Sequence, residues 1–167
     1  MMPNINHAVL IGSSAERVYH AITNQEQLSK WWTAGAKVVA TLNSIAYFPF
    51  GNGYSKEMVV TELKPFETVR WYCIKGADEW IGTDVLFQLI PGNKESMLSL
   101  YPEITGQIEQ MKTEDATLVI FRHSNWKSET LMFAECNYTW GRFLRSLQLL
   151  CETGKGHPWP HEHEIDL

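Results

Sequence analysis

The feature that most constrains this chain is its last third, where a β-type run passes into one long amphipathic helix. Thr117–Leu118–Val119–Ile120–Phe121–Arg122–His123 reads as a strand, and Ser124–Asn125–Trp126 ends it. Beyond Ser128–Met132 a helix is predicted from about Phe133 to Thr153, with Gly154 as its terminator. Cys136, Trp140, Phe143, Leu147 and Leu150 recur at steps of four, three, four and three, which places them on one helical face. A long helix with such a face must bury it against another layer. The segments before it supply that layer.

Ile5, His7, Val9 and Ile11 alternate as in a first strand. Ser13 with Glu16 reads as a capping box for a short helix whose Ala15, Val18, Tyr19 and Ile22 share a face. Asn24 to Leu28 reads as a second short helix, followed by Trp31–Trp32. Lys37–Thr41 and Ile45–Phe50 are expected as short strands, with Gly51–Asn52–Gly53 as a turn. Ser55–Leu63 and Thr68–Ile74 form a hairpin around Pro65, and Trp80–Ile90 is the next strand. The order is strand, two short helices, about six antiparallel strands and one long helix. It predicts an α+β architecture, a curved antiparallel sheet wrapped around a long C-terminal helix.

One domain is expected over 1–167, with a core of about 6–154 and a tail at 155–167. An insertion at about 91–115 is much longer than a hairpin connection. It is expected to act as a lid, a partner surface or a mobile excursion, with a short helix weakened by Gly106.

The net charge of −5 excludes a general binder of phosphate backbones, so no nucleic-acid partner is expected. No apolar run approaches the roughly 20 residues that span a bilayer, and Met1 to Gly12 lacks the pattern of a secretory signal. Cys73, Cys136 and Cys151 form no C-x-x-C pair and read as reduced, buried thiols of a cytoplasmic protein.

The ordered set Ser14–Ala15–Glu16–Arg17–Val18–Tyr19–His20–Ala21–Ile22–Thr23, Leu28, Trp31–Trp32, Trp80, Gly82–Thr83–Asp84–Val85, Thr117–Leu118–Val119, His123–Ser124–Asn125–Trp126, Trp140, Leu144 and Leu147 resembles the START-like (SRPBCC, helix-grip) superfamily. Within it the chain is similar to the branch related to the C-terminal domain of the heat-shock-protein-90 ATPase activator. The chain has Asn125 where that branch often has Gly, and Asn is the usual substitute at a left-handed backbone position. The resemblance implies a cavity between sheet and long helix. It leaves lipid carriers, cyclases and co-chaperones open as relatives.

Seven Trp in this length point to a shared aromatic interior. Phe48, Trp71, Trp80, Phe87 and Phe121 from the sheet, with Trp140 and Phe143 from the helix, are the candidate ligand-binding walls. The alternative is that they fill a solid core. His123 shares the parity of Thr117, Val119 and Phe121 and is expected inward, to orient a ligand, to act as acid or base, or to bond backbone near Asn125. Glu57 and Met58 point oppositely, so one of them faces inward. His157, His161 and His163 with Glu162 and Glu164 are weighed as a metal site and set aside, because Pro158 and Pro160 break any helical spacing.

No catalytic motif is recognised and no cofactor or metal is expected. The chain is therefore expected to bind a small apolar or amphipathic molecule between sheet and helix. A co-chaperone-like interaction module and a cyclase- or hydrolase-type enzyme are the alternatives, and a homodimer is a further expectation. A closed, solid interior would favour the interaction module.

Overall fold

The computed structural model describes residues 1–165, so the last two positions of the expected tail lie outside the described residues. Six antiparallel strands form one sheet: β1 (Ile5–Ile11), β2 (Ile45–Pro49), β3 (Ser55–Lys64), β4 (Thr68–Lys75), β5 (Asp84–Asn93) and β6 (Asp115–Ser124). Their spatial order is β1-β6-β5-β4-β3-β2, so successive hairpins run across the sheet and β1 closes on β6. β3 carries two register irregularities against β4, at Glu57/Met58 and Val60/Glu62. Such bulges bend a strand and increase its twist, which curves the sheet. The architecture is the α+β helix-grip arrangement expected from the sequence.

Between β1 and β2 lie α1 (Ala15–Thr23) and α2 (Gln25–Trp31). The cap of α1 is Ser14, whose side chain accepts the Arg17 N–H, and not Ser13, whose carbonyl instead takes the Thr117 hydroxyl. α5 (Leu131–Thr153) starts two residues before the expected boundary, because Thr130 caps it by accepting the Phe133 N–H. Gly154 ends it at φ +85°, a left-handed conformation in which a side chain would be strained.

Lys37–Thr41 is not a strand. Only Lys37 makes a bridge, to Tyr47 of the edge strand β2. Trp80 stands in the turn before β5, which begins at Asp84, so the expected strand loses its first four residues.

β5 runs on to Asn93, and the chain then folds as α3 (Lys94–Leu100), a short 3₁₀ turn and α4 (Thr105–Gln110) before entering β6. Asn93 and Ser96 form a reciprocal capping box for α3. Met97, Ile108 and Met111 bury themselves against Leu10, Ala116 and Leu118 as a small second core. Leu10 and Leu118 are register partners, and Val119, Phe121 and His123 point to the opposite face. The expected excursion is thus a packed layer on the sheet face away from the main core, with only Leu100 and Tyr101 as large exposed apolar side chains.

The main core joins the inner sheet face to α1, α2 and α5. Val18, Ile22, Leu28, Trp31, Trp32, Phe121, Leu144 and Leu147 are all essentially inaccessible to solvent. Each such side chain contributes roughly 1.5–3 kcal/mol. Trp159 of the tail packs against Phe50 and donates its backbone N–H to the Trp32 carbonyl over 2.7 Å.

Candidate functional site

The eight candidate residues meet in one connected aromatic cluster. Phe48 (β2), Trp71 (β4), Phe87 (β5) and Phe121 (β6) form a row across the sheet, with neighbouring ring centroids 5.5, 5.3 and 5.2 Å apart. α5 lowers Trp140 onto Phe121, centroid to centroid 4.5 Å, and Phe143 follows at 6.2 Å from Trp140. Trp80 lies 4.5 Å from the His123 ring and 6.3 Å from Trp140. These are ordinary contact distances for aromatic pairs, so the rings occupy the space between sheet and helix.

Trp32, which sequence reasoning left out of the wall, sits at the centre. It lies 4.3 Å from Phe48, stacks on Trp71 at 5.6 Å with ring planes within 5°, and lies 5.2 Å from Trp140. The tandem Trp31–Trp32 after a short helix was the available signal. Trp126, also missed, is fully buried 4.7 Å from His123, and among the described residues its indole N–H has no hydrogen-bond partner.

His123 is fully buried and both ring nitrogens are engaged. The Trp140 indole N–H donates to Nδ1 over 3.1 Å. An indole can only donate, so Nδ1 is unprotonated and the proton sits on Nε2. Nε2 then donates to Thr83 Oγ1 at 2.8 Å, and that hydroxyl donates to the Trp80 carbonyl at 2.6 Å. Burial, with the Lys56 charge adding to it, pulls the His123 pKa down to about 3. The ring is a neutral buttress with both nitrogens engaged. Asn125 ends the strand at φ +67° and donates from Nδ2 to Asp84 Oδ2 over 2.7 Å, fulfilling its expected left-handed role. Met58, not Glu57, faces inward; Glu57 lies outside within 3.8 Å of Lys75.

Lys56 is a third residue that sequence reasoning missed. Its ammonium lies over the Phe50 ring at 3.7 Å, the Trp80 ring at 4.3 Å and the Tyr54 ring at 5.3 Å. Burial lowers its pKa to about 8, against the opposing pull of Cys136 and Cys73. Cys136 accepts the Trp80 indole N–H at 3.3 Å. Cys136 and Cys151 stand at the margin of the buried helix face, not wholly inside it, and partial burial raises both thiols, Cys151 to about 12.

Two open spaces lie elsewhere, and none of the eight residues lines either. A groove of about 510 Å³ runs between the α4 end and the C-terminal half of α5, and a shallower one of about 340 Å³ lies beside His20 and Gln25. In the tail, His161 pairs with Glu164 at 2.8 Å and His163 with Glu162 at 3.3 Å. Among the described residues no three His, Cys, Asp or Glu converge as a metal site. No helix among them is long and apolar enough to cross a membrane.

The solution structure of the Aha1 dimer from Colwellia psychrerythraea matches 93% of this chain and 100% of its own at 36% identity, with a TM-score of 0.71. Protein MLL2253 from Mesorhizobium loti (13% identity, 89% of this chain and 96% of its own, TM-score 0.65) shares the fold. So does CalU16 from Micromonospora echinospora (14% identity, 94% and 70%, TM-score 0.66). No curated protein matches the chain. The family model described as activator of Hsp90 ATPase homolog 1-like protein spans residues 13–152, and with the Colwellia relative it establishes that this chain belongs to that family.

Proposed function

We propose that this chain is a co-chaperone-like interaction module that engages an Hsp90-type ATPase chaperone. The observation that carries the reading is the occupied interior: the Phe121, Trp140, Trp32 and Phe48 rings fill the space a ligand would need. The first turns of α5 expose Leu131 (92%), Met132 (37%) and Tyr138 (53%), apolar surface of the kind a partner covers. The family description and the 36% identical relative support the partner class. The reading places the protein in the cytoplasm, in keeping with three unpaired cysteines. It includes self-association, since the Colwellia relative is described as a dimer. The test is the ATPase rate of a bacterial Hsp90-type chaperone titrated with this protein, with light scattering to follow association. A rise in rate that is lost in the double variant Leu131→Asp/Tyr138→Asp is expected. Absence of both binding and rate change overturns the reading.

A second reading is favoured by one observation, the unpartnered buried N–H of Trp126 beside His123 and Trp80. An unpaired buried donor costs about 1–3 kcal/mol, and an apolar molecule bearing one acceptor would relieve that cost. Such a ligand would part the rings of Trp80, Trp140, Phe121 and Phe143, and it would use Phe48, Trp71, Phe87 and His123 as its deeper wall. Native mass spectrometry of freshly expressed protein tests it: a stoichiometric small molecule, lost in Trp140→Ala while the fold persists, is the supporting result.

A further inference from the structure

We propose that the groove between α4 and the C-terminal half of α5 is a binding site for a small organic monoanion, a carboxylate carried on an apolar body. The site lies about two turns along α5 from the exposed Leu131–Tyr138 surface, and the proposal does not depend on the chaperone reading. Its volume of about 510 Å³ is within the range of small-molecule sites.

The argument starts at the end of β1. The Leu10 carbonyl accepts two amides, Gln107 Nε2 from α4 and Gln148 Nε2 from α5, each at 2.8 Å. Both groove walls are thereby pinned to one strand. Gln148 is only 7% exposed and its amide is committed, so its oxygen points in a set direction. That oxygen accepts Arg145 Nη1 over 2.6 Å. The guanidinium is held on the groove wall with one of its five N–H groups used and no carboxylate in ion-pair contact among the described residues. A planar fork held this way, with donors to spare, suits a carboxylate.

The rest of the lining sets charge and polarity. Lys112 adds a second cation, and Glu152 supplies the opposing carboxylate, within electrostatic reach of Arg145. Two cations against one carboxylate leave room for one negative charge, so a dianion fits poorly. Met111 and Leu149 supply the apolar surface for the body of the ligand.

The experiment is an NMR titration of the full chain with octanoate and, separately, with octanol. Octanoate is expected to shift the backbone signals of Gly12, Met111 and Leu149 and the Arg145 side-chain signal. Octanol, lacking the charge, is expected to bind about tenfold more weakly. Arg145→Gln is expected to abolish the octanoate response. Lys112→Glu, an exposed change that leaves the core untouched, is expected to weaken it by about tenfold and keeps the test decisive if Arg145→Gln unfolds. Equal response to both probes, an unchanged response in Lys112→Glu, or shifts confined to residues outside the groove overturns the proposal.

Discussion

Trp140 donates its indole N–H to Nδ1 of His123 over 3.1 Å, and this bond settles the tautomer and orientation of the imidazole. The helix thus locks the end of β6 through a polar contact inside an aromatic core. Burial, with the Lys56 charge adding to it, keeps that ring neutral and sets how the fold responds to acid.

Stability is expected to fall as pH drops below 6.5. Above that value the ring is neutral in the folded and unfolded chain alike. Below it the unfolded ring takes up a proton that the folded ring, held at about 3, refuses. The loss runs from 6.5 down to about 3 at about 1.4 kcal/mol per pH unit. Urea unfolding between pH 7.5 and 4.5, compared with His123→Gln, isolates this slope. A native His123 titrating near 6.5 by NMR contradicts it.

Trp140→Phe keeps an aromatic ring but leaves Nδ1 of His123 buried without its donor, at an expected cost of about 1–3 kcal/mol. Trp140→Ala adds a cavity and is expected to cost about 3–5 kcal/mol. Denaturant midpoints measure both, and indistinguishable stabilities for wild type and Trp140→Phe would show that the bond contributes little.

Lys56→Met is expected to stabilise the protein at pH 7. The buried ammonium titrates at about 8 when folded, below its ordinary value of 10.5. Stability is therefore fully present above 10.5, is lost as pH falls towards 8, and stays lost below. Methionine keeps the packing against Phe50 and Trp80 without the desolvated charge, at the expense of a cation–π contact of about 0.5–2 kcal/mol. Calorimetry at pH 7 and pH 10 checks the sign: the advantage of the variant should shrink at the higher pH.

Gly51→Ala is expected to destabilise by about 1–3 kcal/mol and to loosen the tail. Gly51 has φ +75°, and a Cβ there would lie 2.7 Å from the Trp159 ring. Hydrogen exchange should show the loss concentrated at residues 156–165 and the Trp32 carbonyl contact. Uniform or absent change contradicts the assignment of Gly51 as the seat for Trp159.

Periodicity carried far in this chain. The spacing of Trp140, Phe143, Leu147 and Leu150 predicts the buried face of α5, and the parity of Val119, Phe121 and His123 predicts their inward direction. Asn125 was legible because Asn is the usual substitute for Gly at a left-handed backbone position, and its φ is +67°. Local choices failed where competing neighbours looked alike. Ser13 and Ser14 are both good caps, and the chain exit from β1 decides between them. Lys37–Thr41 has strand-like residues but only one bridge to a neighbouring strand.

The amino-acid order by itself determined the helix-grip layers, because burying one helical face and one sheet face is a local, periodic requirement that each segment carries in its own residues. Tertiary structure decided what fills the space between those layers. Whether Phe48, Trp71, Phe87 and Trp140 enclose a void or touch depends on where Trp32 is placed by α2, a contact between residues distant in sequence. The same holds for the groove: Arg145 and Gln148 are neighbours on one helix, but Gln107 joins them only because two helices far apart in the chain hydrogen-bond to one Leu10 carbonyl. Spacing along the chain holds no record of such a shared acceptor.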